Sequence, residues 1–280
     1  MRSNQGATLV RLLTALVLLP SVLALVWVPQ LEVLFVAFIG LLVAVGLNEF
    51  FAMTKAKGIE IWSLPAMVFG VLMVFASYQS MALLNSALVV GIVVVAWAQV
   101  LRSQVSLTAL SVSAWGLFYV GWMPAHFVMI HAEAGALGAT LVSLLIAIVA
   151  LSDTGAYFVG KSIGKHKLAP TVSPKKTWEG AIGGVVAAVL GMAVAWYLDH
   201  HVTAIPMPGW SLWQYALVGA VLAIAGQIGD LVESMMKRDA GVKDSGNILP
   251  GHGGVLDRCD GFLFAGPLMY YMLAWLPAAA

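Results

Sequence analysis

The chain has 280 residues, of which 61% are hydrophobic and only 10% charged, and its mean hydropathy is +0.94. That apolar share lies well above the roughly 45–50% of soluble domains, which excludes an ordinary water-soluble globule and points to a polytopic membrane protein. A formal net charge of +1 excludes a strongly basic nucleic-acid binder, and the single cysteine, Cys259, excludes an intramolecular disulfide and zinc-finger spacing.

A helix needs about 20 apolar residues to cross the hydrocarbon core. By that rule the predicted spans run from Leu12 to Val28, Leu31 to Phe51, Ile61 to Tyr78, Ala82 to Leu101, Leu107 to Ile130, Ala136 to Val159, Ala181 to Leu198, Trp213 to Leu231 and Phe262 to Leu276. The expected fold is all-α, with about nine crossings. Arg2 and Arg11 ahead of the first span resemble a signal peptide, but the run is long, Pro29 follows, and no small-residue cleavage site is clear; a retained helix is expected. With the amino terminus in the cytoplasm, all 14 Lys and Arg fall inside, whereas the outer turns keep Glu32, Glu133 and Asp199. A miscounted span would flip every later loop, so an odd number of crossings with an external carboxyl terminus is expected.

Residues 1–130 read as a scaffold of transmembrane helices with little chemistry. Glu49, at the inner end of the second span, can support a site, but a carboxylate snorkelling to the interface is the favoured reading. Trp27, Trp62, Trp122, Trp196, Trp210 and Trp213 fall near span ends, as interfacial belts require. His131, His200 and His201 read as outer surface residues, and Gly183, Gly184 and Gly219 as close helix-packing positions.

Residues 131–280 read as the catalytic region, with loops 160–180 and 232–261 on the cytoplasmic side. Asp153 interrupts an apolar span, where an ionisable group is costly and functional by default. The loop from Lys161 to Gly180 carries Ser173, Lys175, Lys176, Thr177 and Glu179, a set that can grip a polyphosphate; the alternative is a basic loop held at anionic headgroups. Asp230, Glu233, Ser234 and Lys237 recur at helical spacing, which places them on one stripe at the end of the eighth span. Asp230 there is a candidate metal ligand, with a hydrogen-bonded helix-end carboxylate as the structural alternative.

The densest charge lies between Ser234 and Asp260. Lys237, Arg238, Lys243 and Arg258 suit phosphate oxygens, and the aspartates beside them are the hard donors that Mg²⁺ prefers. Asp257 and Asp260 share a helix face, and Gly251, Gly253 and Gly254 around His252 let backbone amides approach a ligand. The spacing of Ser234, Lys237, Arg238, Lys243, Asp244, Pro250, His252, Gly253, Gly254, Asp257, Arg258 and Asp260 resembles the signature of the phosphatidate cytidylyltransferases, also called CDP-diacylglycerol synthases. Cys259 stands where that signature has an aliphatic residue or threonine. The likeness covers roughly Ser152 to Asp260, and the amino-terminal spans match only in hydropathy.

The resemblance implies transfer of the cytidylyl group of CTP to phosphatidic acid, giving CDP-diacylglycerol and pyrophosphate. For that reaction Asp230, Asp257 and Asp260, with Asp244 as a weaker ligand or loop organiser, are expected to hold Mg²⁺, and a second metal is allowed. Lys237, Arg238, Lys243 and Arg258 are assigned to the triphosphate and lipid phosphate, and Lys175 and Lys176 to closing over them. His252 is assigned to a phosphate or to fixing the loop, and Asp153, Ser173, Thr177, Glu179 and Ser234 to substrate binding. These groups are expected to converge in one pocket on the cytoplasmic face of a bacterial-type inner membrane, among its lipids; the small helical residues leave room for a homodimer. A CDP-alcohol phosphotransferase is the rival enzyme, but Asp260 and Gly261 continue into Phe-Leu-Phe-Ala, not the Asp-Gly-x-x-Ala-Arg run. A transporter is the non-enzymatic rival; no internal repeat is apparent and the charges collect at one face.

Overall fold

The computed structural model describes residues 16, 20–102, 106–133, 136–202, 205–248 and 253–276. Residues 20–27 are helical; Arg2, Arg11 and residues 12–15 and 17–19 of the predicted first span lie outside the described residues. A 3₁₀ turn, Pro29–Leu31, leads into α1 (Glu32–Ala56), α2 (Ser63–Gln79), α3 (Met81–Leu101) and α4 (Leu107–Gly116). A π-helical turn, Leu117–Trp122, joins α4 to α5 (Met123–Glu133), and α6 (Ala136–Ile163) follows. Then come strands β1 (Lys167–Ala169) and β2 (Ser173–Thr177), and α7 (Trp178–His201), α8 (Leu212–Asp239) and α9 (Leu256–Trp275). The chain is thus an all-α polytopic membrane protein with one small hairpin.

Among the described residues, five helical segments are both long and apolar enough to cross a membrane: Pro29–Ala56, Met81–Leu101, Leu137–Ile163, Trp178–His201 and Leu212–Asp239. The other predicted spans fall short for separate reasons. Helix α2 has 17 residues. The predicted span from Leu107 to Ile130 is divided by the π turn. Helix α9 has 20 residues, but its first turns carry Asp257, Arg258 and Asp260, and Pro267 sits inside it.

The segment from Lys161 to Gly180 is not the plain loop that its composition suggested. Helix α6 continues through Ile163, and β1 and β2 pair antiparallel, with Lys167 opposite Thr177 and Ala169 opposite Ser173. Thr177 then caps α7, its hydroxyl accepting from Gly180 N at 3.2 Å. Ser80 and Ser106 cap α3 and α4 in the same way, at 3.2 and 3.1 Å. Helix α8 ends in a Schellman motif: Gly241 takes φ 71°, Val242 N donates to Lys237 O at 2.9 Å, and Gly241 N donates to Arg238 O at 3.1 Å.

The chain forms two compact units, one comprising Met1–Met129 with Lys237–Cys259, the other Ile130–Met236 with Asp260–Ala280. In the first, α2 packs against both α1 and α3, around buried Leu47, Met73, Leu84 and Tyr119. Gly46 admits a close approach: a Cβ there would come within 2.9 Å of Val120 Cγ1 and 3.1 Å of Leu256 Cδ2.

In the second unit α6 and α7 pack through small residues. Gln227 of α8 donates to Ala181 O at 3.0 Å and Ser152 Oγ at 3.3 Å. Asp199 accepts from Gly209 N at 2.9 Å and Tyr215 Oη at 2.8 Å. Trp210 departs from the belt expectation: it is buried, and its indole donates to Leu276 O at 3.1 Å.

The α6 and α7 contact yields a test. A Cβ on Gly183 would fall 2.5 Å from Val159 Cβ, so Gly183→Val should cost about 1–3 kcal/mol by overpacking. Ile182→Val on the exposed side of α7 should stay within about 0.5 kcal/mol. Thermal unfolding in detergent reads both.

Candidate active site

Each unit contains a lysine–carboxylate cluster built from separate segments. In the second, Lys176 at the end of β2 reaches Asp230 on α8, with Nζ 2.5 Å from Oδ2. Ser234, one turn further along α8, donates to the other oxygen, Oδ1, at 3.2 Å. Asp153 on α6 lies in charge–charge range of both Asp230 and Lys176. Three segments far apart in sequence therefore supply two carboxylates and one ammonium to one place. The hairpin delivers Lys176 because Glu179 holds its base: the carboxylate accepts from Lys165 N at 3.1 Å, His166 N at 3.2 Å and His166 Nδ1 at 2.6 Å. Lys175 is exposed and Ser173 half-buried; Thr177 is buried, with its oxygen engaged in the α7 cap. Asp230, Glu233, Ser234 and Lys237 all lie on the unbroken helix α8, and of these Glu233 is the most deeply buried.

In the first unit Lys237, at the end of α8, pairs with Asp257 in the first turn of α9. Nζ to Oδ1 is 2.6 Å, and the two side chains are 11% and 5% exposed. The second oxygen, Oδ2, accepts from Ser245 N at 2.8 Å, Gly254 N at 2.8 Å and Ser245 Oγ at 3.0 Å. Burial alone would push the Asp257 carboxyl up, but the Lys237 bond, the two amides and the ammonium charge together hold it below its ordinary value. Arg238, Lys243, Asp244 and Arg258 are exposed, and Arg238 reaches Val242 O at 3.2 Å. Asp260 belongs to the second unit, and its Oδ1 accepts from Gly261 N at 2.7 Å. His252, with Pro250 and Gly251, lies outside the described residues.

Glu49 overturns its snorkelling assignment. It is 3% exposed, and it accepts from Val255 N through Oε1 and from Leu256 N and Ser245 Oγ through Oε2, each at 3.0 Å. The Val255 and Leu256 amides stand at the start of α9 and have no partner within the helix, so a remote carboxylate completes the cap. The sequence signal was a glutamate at the end of an apolar helix with glycines far downstream, a pairing that one sequence alone does not join.

Among the described residues no group of three His, Cys, Asp or Glu side chains is placed to hold a metal ion. Mg²⁺ does not demand one, because it commonly binds through one or two carboxylates plus substrate phosphates. Asp230 Oδ2 in one unit and Asp257 Oδ1 in the other each face a lysine ammonium, so each carboxylate is a hard oxygen donor already beside a positive charge.

An apolar crevice of about 490 Å³ runs along α6 and α7 between Phe158, Val159, Ile182 and Val186, with Glu179 at its edge. It does not include either charged cluster.

A membrane protein with a lysine–carboxylate cluster in each of its two units is the setting in which the comparisons fall. The family model described as "Cytidylyltransferase family" matches residues 9–276, and the chain belongs to that family, among the phosphatidate cytidylyltransferases. It is 34% identical over 271 residues to a phosphatidate cytidylyltransferase of Synechocystis, covering 86% of this chain and 89% of that protein. The corresponding protein of Bacillus subtilis is 35% identical over 244 residues, covering 84% and 87%. That of Brucella suis is 36% identical over 261 residues, covering 93% and 91%.

The buried ion pair predicts a pH-dependent stability. Lys237→Met leaves Asp257 enclosed without its ammonium and should cost about 3–5 kcal/mol. Since the folded carboxyl is lowered, the pair's contribution is complete above the unfolded value of about 3.9 and is lost as pH falls through the folded one. The gap between wild type and variant in detergent unfolding should therefore hold from about pH 8 to 5 and shrink in stronger acid.

Proposed function

We propose that this chain transfers the cytidylyl group of CTP to phosphatidic acid, releasing pyrophosphate and forming CDP-diacylglycerol. Family membership along residues 9–276 carries this reading, and the two lysine–carboxylate clusters supply chemistry suited to it. Neither the CDP-alcohol phosphotransferase nor the transporter reading is favoured by the relatives. The enzyme is an integral membrane nucleotidyltransferase. Its proposed setting is a bacterial-type inner membrane, with the amino terminus and the charged segments in the cytoplasm, where a bilayer lipid and a soluble triphosphate can both arrive.

An anionic phosphate oxygen of phosphatidate attacks the α-phosphorus of CTP in line. The bond from that phosphorus to the bridging oxygen breaks, and pyrophosphate leaves with its electron pair. The attacking oxygen is already ionised, so no general base is required, and positioning with charge stabilisation carries the step.

Lys237, Arg238, Lys243 and Arg258 are assigned to the phosphates, with Lys175 and Lys176 of the hairpin; arginine adds a bidentate fork to the lysines' point charges. Ser234, Ser173 and Thr177 supply hydroxyls beside these cations. His252 is assigned to a phosphate or to ordering its loop. Asp230 and Asp257, with Asp260 and the more exposed Asp244, are the carboxylates that would hold Mg²⁺, which supplies charge neutralisation at the phosphates when bound. Asp153 adds negative charge beside Asp230 and Lys176, and Glu179 keeps the hairpin in shape for Lys176.

The test is incorporation of radiolabelled CTP into chloroform-soluble product by purified protein, with and without phosphatidate, under a Mg²⁺ titration. Label should enter lipid only with phosphatidate and metal present. Asp257→Asn should lower turnover by at least about 10³-fold, the scale of a lost electrostatic contact, while the protein remains membrane-inserted. Near-normal turnover in that variant would reject the metal assignment.

A further inference from the structure

The residues that the proposed reaction needs are held by one that it does not touch. Glu49 belongs to α1, some two hundred positions before the segment it contacts, and its side chain is enclosed. Its two oxygens take three donors at 3.0 Å: Val255 N, Leu256 N and Ser245 Oγ. Ser245 stands between two carboxylates. Its hydroxyl oxygen lies 3.0 Å from Glu49 Oε2 and 3.0 Å from Asp257 Oδ2, while its backbone amide donates to Asp257 Oδ2 at 2.8 Å. The same Asp257 takes Lys237 on Oδ1. A continuous chain of contacts therefore runs from Glu49 through Ser245 to Asp257 and Lys237.

The surrounding backbone is shaped to admit this carboxylate. A Cβ on Gly246 would fall 2.5 Å from Glu49 Oε1, and one on Gly254 would fall 2.5 Å from Oε2. Two glycines thus press their bare backbones against Glu49, which no snorkelling surface residue would need.

We infer that Glu49 is a positioning residue for cytidylyl transfer: it anchors the start of α9 and Ser245, so that Asp257 presents its Lys237-bearing oxygen in one orientation. The inference rests on the reaction proposed above and adds a role for the amino-terminal helices in it. Glutamine cannot replace Glu49. Whichever way the amide is turned, its NH₂ faces either Val255 N–H or Leu256 N–H, and one donor loses its acceptor.

The experiment measures kcat and KM for CTP in full-length detergent-purified protein, per mole of folded enzyme counted by monodisperse gel filtration and thermal unfolding. Glu49→Gln should lower kcat at least tenfold while KM for CTP stays within threefold, because positioning is lost and nucleotide binding is kept. Ser245→Ala should lower kcat less, and the double variant should fall no further than Glu49→Gln alone, since both act through one chain. Gly246→Ala displaces the carboxylate without removing it and should reproduce the kcat loss, which keeps the test decisive if Glu49→Gln does not fold.

A Glu49→Gln enzyme within twofold of wild-type kcat overturns the inference. So do losses fully accounted for by a smaller folded fraction, Glu49→Gln and Ser245→Ala effects that multiply, or, where Glu49→Gln does not fold, a Gly246→Ala enzyme with unchanged kcat. Absence of CDP-diacylglycerol formation by the wild type sinks the reaction itself instead, and the two failures are distinct.

Discussion

An enclosed carboxylate must be answered by donors or by charge, and Asp257 is answered on both oxygens. An ionised group removed from water loses several kcal/mol of solvation unless the protein replaces it. Lys237 replaces it on Oδ1; Ser245 and Gly254 replace it on Oδ2. That requirement organises the segment between α8 and α9, whose described residues form mostly turns and bends. The Schellman turn at Gly241 ends α8 just after Lys237 and Arg238, and α9 begins one residue before Asp257. Two helix ends and a backbone wrapped around an anion take the place of an apolar core.

The second unit solves the same problem with different parts. Asp230 is about one-third exposed, so its cost of ionisation is smaller, and a single lysine with a serine hydroxyl serves it. The lysine comes from a hairpin of only three and five residues, too short to stand alone. Glu179 ties that hairpin to the start of α7 through two backbone amides and His166. A mobile basic loop would hold Lys176 at high entropic cost; a tethered hairpin has met that cost on folding.

Hydropathy made most of the helices legible, because a lipid-facing helix must be apolar over its whole length whatever its neighbours are. The π turn at Leu117–Trp122 left no trace, since it changes hydrogen-bond register and not composition. The hairpin was hidden in a polar loop, where no alternating pattern of apolar residues marks its strands. Among candidate site residues, Asp153, Lys176, Asp230, Lys237 and Asp257 stood out because charge is scarce in this chain, and the structure assembles the first three in one cluster and the last two in another. Glu49 could be named as a supporting carboxylate but was favoured as a snorkelling one, for the converse reason. Its partners are backbone amides and a serine, and such donors carry no signal in composition or spacing.

The glycines of the signature take on a different meaning from that difference. Their spacing suggested a backbone opened for a nucleotide phosphate. In the folded chain, Gly254 N donates to Asp257 Oδ2, the space where Gly246 would carry a side chain is filled by Glu49, and that at Gly254 by Ser245 Oγ and Glu49. Gly253 takes φ 83°, and a Cβ on it would come 2.8 Å from Asp257 Oδ2. The anions that these bare backbones accommodate are therefore the protein's own carboxylates. A helix amino terminus and exposed amides favour any anion, and a carboxylate built into the chain occupies them permanently. Around these enclosed acids the cations divide: Lys237 is buried with Asp257, whereas Arg238, Lys243 and Arg258 are exposed to solvent. The carboxylate network therefore consumes one lysine and leaves three cations at the surface beside it.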